Sequence, residues 1–353
     1  MRNNKLFRIG VVALSIVLVA CAGGSSDEAG CPVIEDRKIN VVATTPMVGE
    51  FVSQVGGDNI NLTVIMPPEA DPHTYEPAPQ DAGTIADADL VFYTGLKYEP
   101  AAVIKLLENS ACSTEVLAEV GENVFPIEFK EGGHDDHGDH DDHDEEGHDD
   151  EEGHDDEEGH DDEEGHDDHD GHEGHGHGAF DPHFWFDPNR VAYATEYIES
   201  KLVEFDPSNA SSYETAGSAY TGELKGLTGQ VSDLISTVPS QNRKLITTHE
   251  SLGYLEAKFG LEVLSTIIPS LDSANEISPA QLVDVIDVIE DNNVKVIFIE
   301  AEAPSVYAET IVAETGIKAV EGLWVETLKE GQSYPDFLIS AVELIVENLR
   351  NTD

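Results

Sequence analysis

From Lys38 onward, short β-rich apolar runs alternate with helix-length amphipathic segments, and this alternation constrains the fold more than any other feature. Residues 39–43, 60–65 and 90–93 read as strands, with helical stretches at 48–55 and 81–86 between them. Strands separated by a helix cannot close as hairpins, so each crossover lays the next strand parallel to the last. The same grammar resumes later: strands at 244–248, 261–267 and 294–300 enclose helices at 252–259 and 279–291. The fold class expected is α/β with two lobes, each a mostly parallel sheet flanked by helices, and 353 residues suffice for two cores.

Between the two series, residues 210–237 form a long, moderately periodic stretch without proline. It is entered through Asp206-Pro207-Ser208-Asn209, a helix N-terminus signal. A single long, rigid helix joining the lobes follows, which divides the chain into a first lobe at 37–206, a linking helix at 207–238 and a second lobe at 239–353.

The first lobe carries an insertion at 131–178. Four consecutive copies of Glu-Glu-Gly-His-Asp-Asp begin at Glu145, Glu151, Glu157 and Glu163, and the segment holds 25 acids and no Lys or Arg. With so little apolar surface to bury, it cannot offset its ordering entropy, and a disordered loop is expected. Loop-closure entropy grows slowly with length, so a compact lobe tolerates the insertion.

At the N-terminus, Arg2, Lys5 and Arg8 precede an apolar run from Ile9 to Ala20 that is short for a membrane span, which reads as a signal peptide over 1–20. The run ends Leu18-Val19-Ala20-Cys21 and continues Ala22-Gly23-Gly24-Ser25-Ser26, which resembles a bacterial lipobox with its tether. Cys21 would carry the lipid, residues 21–36 would form the tether, and the protein would sit on the extracytoplasmic side of the cell membrane. Cys31 and Cys112 remain, an even pair in an oxidising compartment where a disulfide could tie the tail to the first lobe.

The formal charge is −54, and outside the insertion 47 acids still face 18 Lys and Arg. No nucleic-acid partner fits such a surface; cations are its natural counter-species.

Twelve of the 15 histidines lie in the insertion: His134, His137, His140, His143, His148, His154, His160, His166, His169, His172, His175 and His177. One imidazole among four acids in each repeat gives weak, exchangeable metal sites, and twelve on one tether raise the local metal concentration. Only His73, His183 and His249 remain, each at a turn or a strand end. Neutral imidazole is the commonest zinc ligand, and three of them with one further position match the tetrahedral preference of Zn(II).

Three motifs surround these histidines: Asp71-Pro72-His73-Thr74-Tyr75-Glu76-Pro77, Asp181-Pro182-His183-Phe184-Trp185-Phe186-Asp187-Pro188, and Thr248-His249-Glu250-Ser251-Leu252-Gly253-Tyr254-Leu255. In these, and over nearly all of residues 37–353, the chain resembles the zinc- and manganese-specific ABC-transporter solute-binding proteins. The resemblance implies a metal held in the cleft between the lobes, with His73 and His183 from the first and His249 from the second. Histidine at the third position is the family's zinc indicator, where manganese proteins tend to have Glu. Glu326, in Trp324-Val325-Glu326-Thr327-Leu328, aligns best as the fourth ligand, with Asp71 or water as alternatives. Asp187 and Glu250 are expected to accept imidazole N–H groups rather than touch the metal.

The function expected is extracytoplasmic capture of Zn(II), carried as transported ligand, and delivery to an ABC permease by a monomer that is not an enzyme. A manganese-binding homologue is the alternative within that class. A metal-dependent hydrolase is a more distant alternative, because no His-Glu-x-x-His helix is present, and so is a surface adhesin.

Overall fold

The computed structural model describes residues 31, 37–129, 180–302 and 305–350. The expected signal peptide, Cys21, the His-rich segment expected to be a loop and its twelve histidines lie outside the described residues.

The first series gives β1 (Ile39–Ala43), α1 (Pro46–Gly56), β2 (Ile60–Val64), α2 (Pro79–Ala86), β3 (Leu90–Tyr93), α3 (Ala101–Ser110) and β4 (Leu117–Glu119). Its four strands pair in the order β2-β1-β3-β4, all parallel. Two helices follow, α4 (Pro188–Phe205) and α5 (Ala210–Ser236). The second series gives β5 (Lys244–His249), α6 (Gly253–Phe259), β6 (Glu262–Ile268), α7 (Pro279–Asn292), β7 (Val296–Glu300), α8 (Ala308–Thr315), β8 (Lys318–Leu323) and α9 (Tyr334–Leu349). Its order is β6-β5-β7-β8, again parallel throughout.

Local chemistry sets the element ends. Thr45 caps α1 by accepting from the Val48 N–H, with Pro46 preset in the first turn. Ser278 and Gln281 form a capping box on α7. The central strands β5 and β7 are buried along almost their whole length, as parallel strands covered on both faces must be. Burial therefore extends to their last residues, His249 and Glu300, which are polar.

Each sheet has one private face and one shared face. On the private faces, Val42, Val91, Ile85, Val103 and Leu107 form a cluster under α2 and α3, while Ile246, Ile297, Val285, Ile289 and Ile311 form another under α7 and α8. The shared faces meet in a single apolar core that runs from Val41 and Phe92 through Phe184, Trp185 and Phe186 to Phe298, Tyr334 and Phe337. Helices α1, α4, α5 and α9 supply much of its packing. The 27-residue α5 spans ~40 Å at 1.5 Å per residue and packs against α1, α4 and α9. Cys31 and Cys112 are disulfide-bonded, with Cα atoms 4.9 Å apart, which ties the chain ahead of β1 to the segment between α3 and β4.

Candidate metal centre

In both sheets the first strand sends one crossover to a neighbour on one side and the next to a neighbour on the other, β1 in the first sheet and β5 in the second. Such a switch point opens a crevice at the carboxyl ends of the strands, where ligands bind in open α/β sheets. His249 is the last residue of β5, and Glu326 lies on the loop after β8. His73 lies between β2 and α2, and His183 in the turn that leads into α4. The loops at the two sheets' carboxyl ends thus contribute two groups each.

These four residues converge. One ligand atom from each of His73, His183, His249 and Glu326 lies within 4.8 Å of the others. Glu326 Oε1 is 2.7 Å from His249 Nε2, 3.2 Å from His183 Nε2 and 3.4 Å from His73 Nε2. His183, His249 and Glu326 are buried, and the His73 side chain is only 4% exposed.

The nitrogens are also unsatisfied. Nε2 of His73 and of His249 are buried without a hydrogen-bond partner. Glu326 Oε1 stands 2.7 Å from His249 Nε2 as an ion-pair contact. Buried polar atoms left unpaired carry a desolvation cost, so two such nitrogens aimed at one carboxylate oxygen need a further partner. A cation among the four groups supplies it, and the donor set of three imidazoles and one carboxylate suits a divalent transition metal.

The outer nitrogens are fixed from behind. Asp181 Oδ1 accepts from the backbone N–H of His183 and contacts its Nδ1 at 2.8 Å, and Asp71 Oδ1 accepts likewise from the His73 backbone at 3.0 Å. Both Asp-Pro-His motifs are therefore the same Asx-type turn. Glu300 Oε2 contacts His249 Nδ1 at 2.5 Å, while its Oε1 accepts from the His249 N–H and Ser251 Oγ, both at 3.2 Å. A carboxylate at Nδ1 holds the proton there and leaves the Nε2 lone pair facing the cluster. Gly253 makes room for this arrangement, since a Cβ there would come within 2.6 Å of Asp181 Oδ2.

Two expectations are corrected here. Asp187 does not accept from an imidazole; its carboxylate caps α4 through the Asn189 N–H, because it stands one residue before the helix-starting Pro188. Nor does Glu250 turn toward His249. Successive residues leave a strand end in opposite directions, and Glu250 accepts instead from Thr266 Oγ1 on β6 at 3.0 Å. Asp71 is outside the four-group cluster. The orienting roles belong to Asp181 and Glu300, whose signals were present in the sequence: one inside the second histidine motif, the other closing a predicted strand.

Glu326 is gripped on every side. Its Oε2 and its carbonyl oxygen both accept from the Tyr98 hydroxyl at 3.0 Å, and the neighbouring Val325 carbonyl accepts from Trp185 Nε1 at 2.8 Å. Glu302 Oε1 accepts from the backbone N–H groups of Val325, Glu326 and Thr327 at 3.1, 3.0 and 3.2 Å. Sequence reasoning missed Tyr98, Trp185 and Glu302 in these roles, and only Trp185 stands in a quoted motif.

The electrostatics follow from this packing. Burial alone would raise the Glu326 carboxyl, but the His183, His73 and His249 imidazoles outweigh it and hold Glu326 well below the usual carboxylate range. Burial likewise disfavours protonated His183, yet Glu326 and the hydrogen bond to Asp181 raise it to about 9. His249 is raised well above its ordinary value by Glu300 and Glu326, again against burial. Burial and the nearby Glu326 charge push the Glu302 carboxyl up to about 8.

Comparison with known proteins adds an independent line. The sequence model of the family described as zinc-uptake complex component A, periplasmic, matches residues 41–348. A manganese ABC transporter substrate-binding lipoprotein of Streptococcus mitis is 27% identical over 360 residues, covering 98% of this chain and 99% of its own. A metal ABC transporter substrate-binding lipoprotein of Streptococcus cristatus is 26% identical, covering 97% and 98%. Among solved structures, the periplasmic zinc-binding protein of Treponema pallidum superposes with a TM-score of 0.69 at 20% identity, covering 89% of this chain and all of the other. An Fe(III)-bound protein of Chlamydia trachomatis gives 0.68 at 21% identity, with coverages of 88% and 98%. Among the described residues no helix is long and apolar enough to cross a membrane. This chain belongs to the family of zinc-uptake complex component A and is the metal-binding component of an ABC importer, not an enzyme.

Proposed function

We propose that the protein captures Zn(II) in the crevice between its two sheets, through His73, His183, His249 and Glu326, and delivers it to an ABC permease. One observation carries this reading: three imidazole Nε2 atoms converge on a single carboxylate oxygen in a buried pocket. Zinc takes four nitrogen, sulfur or oxygen donors tetrahedrally, whereas manganese favours six oxygen-rich positions. The names of relatives and neighbours do not decide the ion, since they specify manganese, zinc and Fe(III) for those proteins. What supports zinc is the donor set of three imidazoles and one carboxylate.

In this reading the lipid on Cys21 anchors a monomer outside the cytoplasm, and the twelve histidines of the insertion gather zinc near the crevice. The common core beneath both sheets supports modest rocking of the lobes rather than wide hinge opening. Manganese is the second reading, favoured by the names of the sequence relatives. Direct competition decides between them: metal-stripped protein titrated with Zn(II) and Mn(II), with and without the insertion, should take zinc at one tight site and prefer it by at least ~100-fold, since Zn(II) stands above Mn(II) in the affinity order of nitrogen donors. Equal or tighter manganese binding would overturn the zinc assignment.

A further inference from the structure

The loop that carries Glu326 is held in an unusual manner. Three consecutive backbone N–H groups, those of Val325, Glu326 and Thr327, converge on one carboxylate oxygen, Glu302 Oε1, while Oε2 makes only a 3.3 Å contact with the first of them. On the opposite side of the same three residues, the carbonyls of Val325 and Glu326 are taken by Trp185 Nε1 and the Tyr98 hydroxyl. The N–H side is thus fixed from the second sheet, two residues beyond β7, and the carbonyl side by residues associated with the first sheet.

This grip has a consequence for the side chain. Glu326 Oε1 alone faces the imidazoles, at 2.7 to 3.4 Å, whereas Oε2 is engaged by Tyr98 at 3.0 Å. A carboxylate can bind a metal through one oxygen or both, and the second mode raises the coordination number toward what oxygen-seeking cations favour. Rotating Glu326 to present both oxygens needs the Tyr98 bond to Oε2 broken, and because the same hydroxyl also holds the Glu326 carbonyl, a shift of the 325–327 backbone would loosen that bond. Glu302 resists that shift.

We propose that Glu302 is a positioning residue for metal selectivity: by clamping the N–H groups of Val325, Glu326 and Thr327, it confines Glu326 to one-oxygen coordination and holds the site four-coordinate. Glu302 itself touches no metal. The inference rests on the four-group site proposed above, and what the clamp requires of residue 302 is reach rather than charge, because a single acceptor oxygen serves all three donors.

That distinction sets the test. Full-length protein and its E302Q and E302D variants are compared by competitive Zn(II) and Mn(II) titration and by the visible spectrum of the Co(II)-substituted site, which is intense when four-coordinate and weak at higher coordination. E302Q keeps an acceptor oxygen at the same reach and should retain the wild-type spectrum and zinc-to-manganese ratio. E302D keeps the charge but withdraws the oxygen by one methylene; its ratio should fall by roughly tenfold, in line with the cost of losing an outer partner of a metal ligand, and its Co(II) bands should weaken. E302N, short and neutral, should behave as E302D does, and takes its place if that variant misfolds by circular dichroism. The proposal is overturned if neither short variant departs from wild type, if E302Q is the perturbed one, or if E302Q and the short variants shift equally. Should wild-type protein itself prefer manganese, the zinc assignment fails, and the clamp is judged by whether reach or charge governs manganese affinity.

Discussion

The orientation of His249 gives the most direct perturbation of the site that leaves every proposed ligand in place. Glu300 and His249 end neighbouring buried strands, and the Glu300 carboxylate meets Nδ1 at 2.5 Å and the His249 backbone N–H at 3.2 Å. Glutamine at 300 has one acceptor where two are needed. If its oxygen faces Nδ1, its NH2 group opposes the His249 N–H; if it is flipped, the imidazole is driven to the tautomer with its proton on Nε2, which cannot bind a metal. Either way a hydrogen bond to a charged group is lost, worth about 1.5–3 kcal/mol. At 1.4 kcal/mol per decade this predicts a roughly 10- to 100-fold fall in zinc affinity for E300Q. Competition against a chromogenic zinc chelator measures it, with thermal unfolding of the metal-free variant as the check on folding. E250Q is the control and should stay within about twofold, because the Glu250 carboxylate accepts from Thr266 Oγ1 on β6. Wild-type affinity in E300Q, or an equal loss in E250Q, would refute the assignment of the orienting carboxylate.

Further outcomes follow from the same geometry. Because Glu326 and Asp181 hold His183 at about 9, and Glu300 with Glu326 holds His249 well above its ordinary value, the metal-free pocket carries protons at neutral pH that zinc must displace. Zinc affinity should therefore rise from pH 6 to pH 9 with net proton release, measured by calorimetry in buffers of unequal ionisation enthalpy; a flat profile removes the imidazoles from the site. The same raised values stabilise the metal-free fold below about pH 6.5, and that contribution disappears as pH climbs through 9, so its melting temperature should drop over that interval while the zinc-loaded protein's holds. Deleting residues 134–177 should leave one tight site intact. Glu128 and Phe180 pair across the base of the insertion, so a short linker can rejoin the chain there, and loss of tight binding would mean the loop supplies a ligand. Reducing the Cys31–Cys112 disulfide, which spans 81 residues, should cost up to about 4 kcal/mol of stability in urea unfolding without changing zinc affinity more than about twofold.

What could be read from the chain depended on whether a role is set locally or by distant packing. The strands at 39–43 and 90–93 and the long helix near 210–237 match β1, β3 and α5 to within a residue, because burial period and helix-start chemistry are local signals. The short β4, the edge strand β8 and the helices α3, α4, α8 and α9 were not assigned from the sequence; β8 exposes four of its six residues, whereas α9 buries an unbroken helical stripe from Tyr334 to Leu349 that its period makes legible. His73, His183 and His249 stood out only because the other twelve histidines lie in the insertion. The acids had no such contrast. Among 72 Asp and Glu, Glu326, Glu300, Glu302 and Asp181 are distinguished by where sheet ends and loops meet, and Asp187 and Glu250 were plausible by adjacency alone. Adjacency misleads at a strand end, where residue 250 points away from residue 249, while Glu300, 51 positions distant, lies beside it because β5 and β7 are parallel neighbours. The parallel topology itself therefore selects the orienting carboxylate: it puts the last residues of adjacent strands side by side, so a histidine ending one strand finds its acceptor at the end of the next.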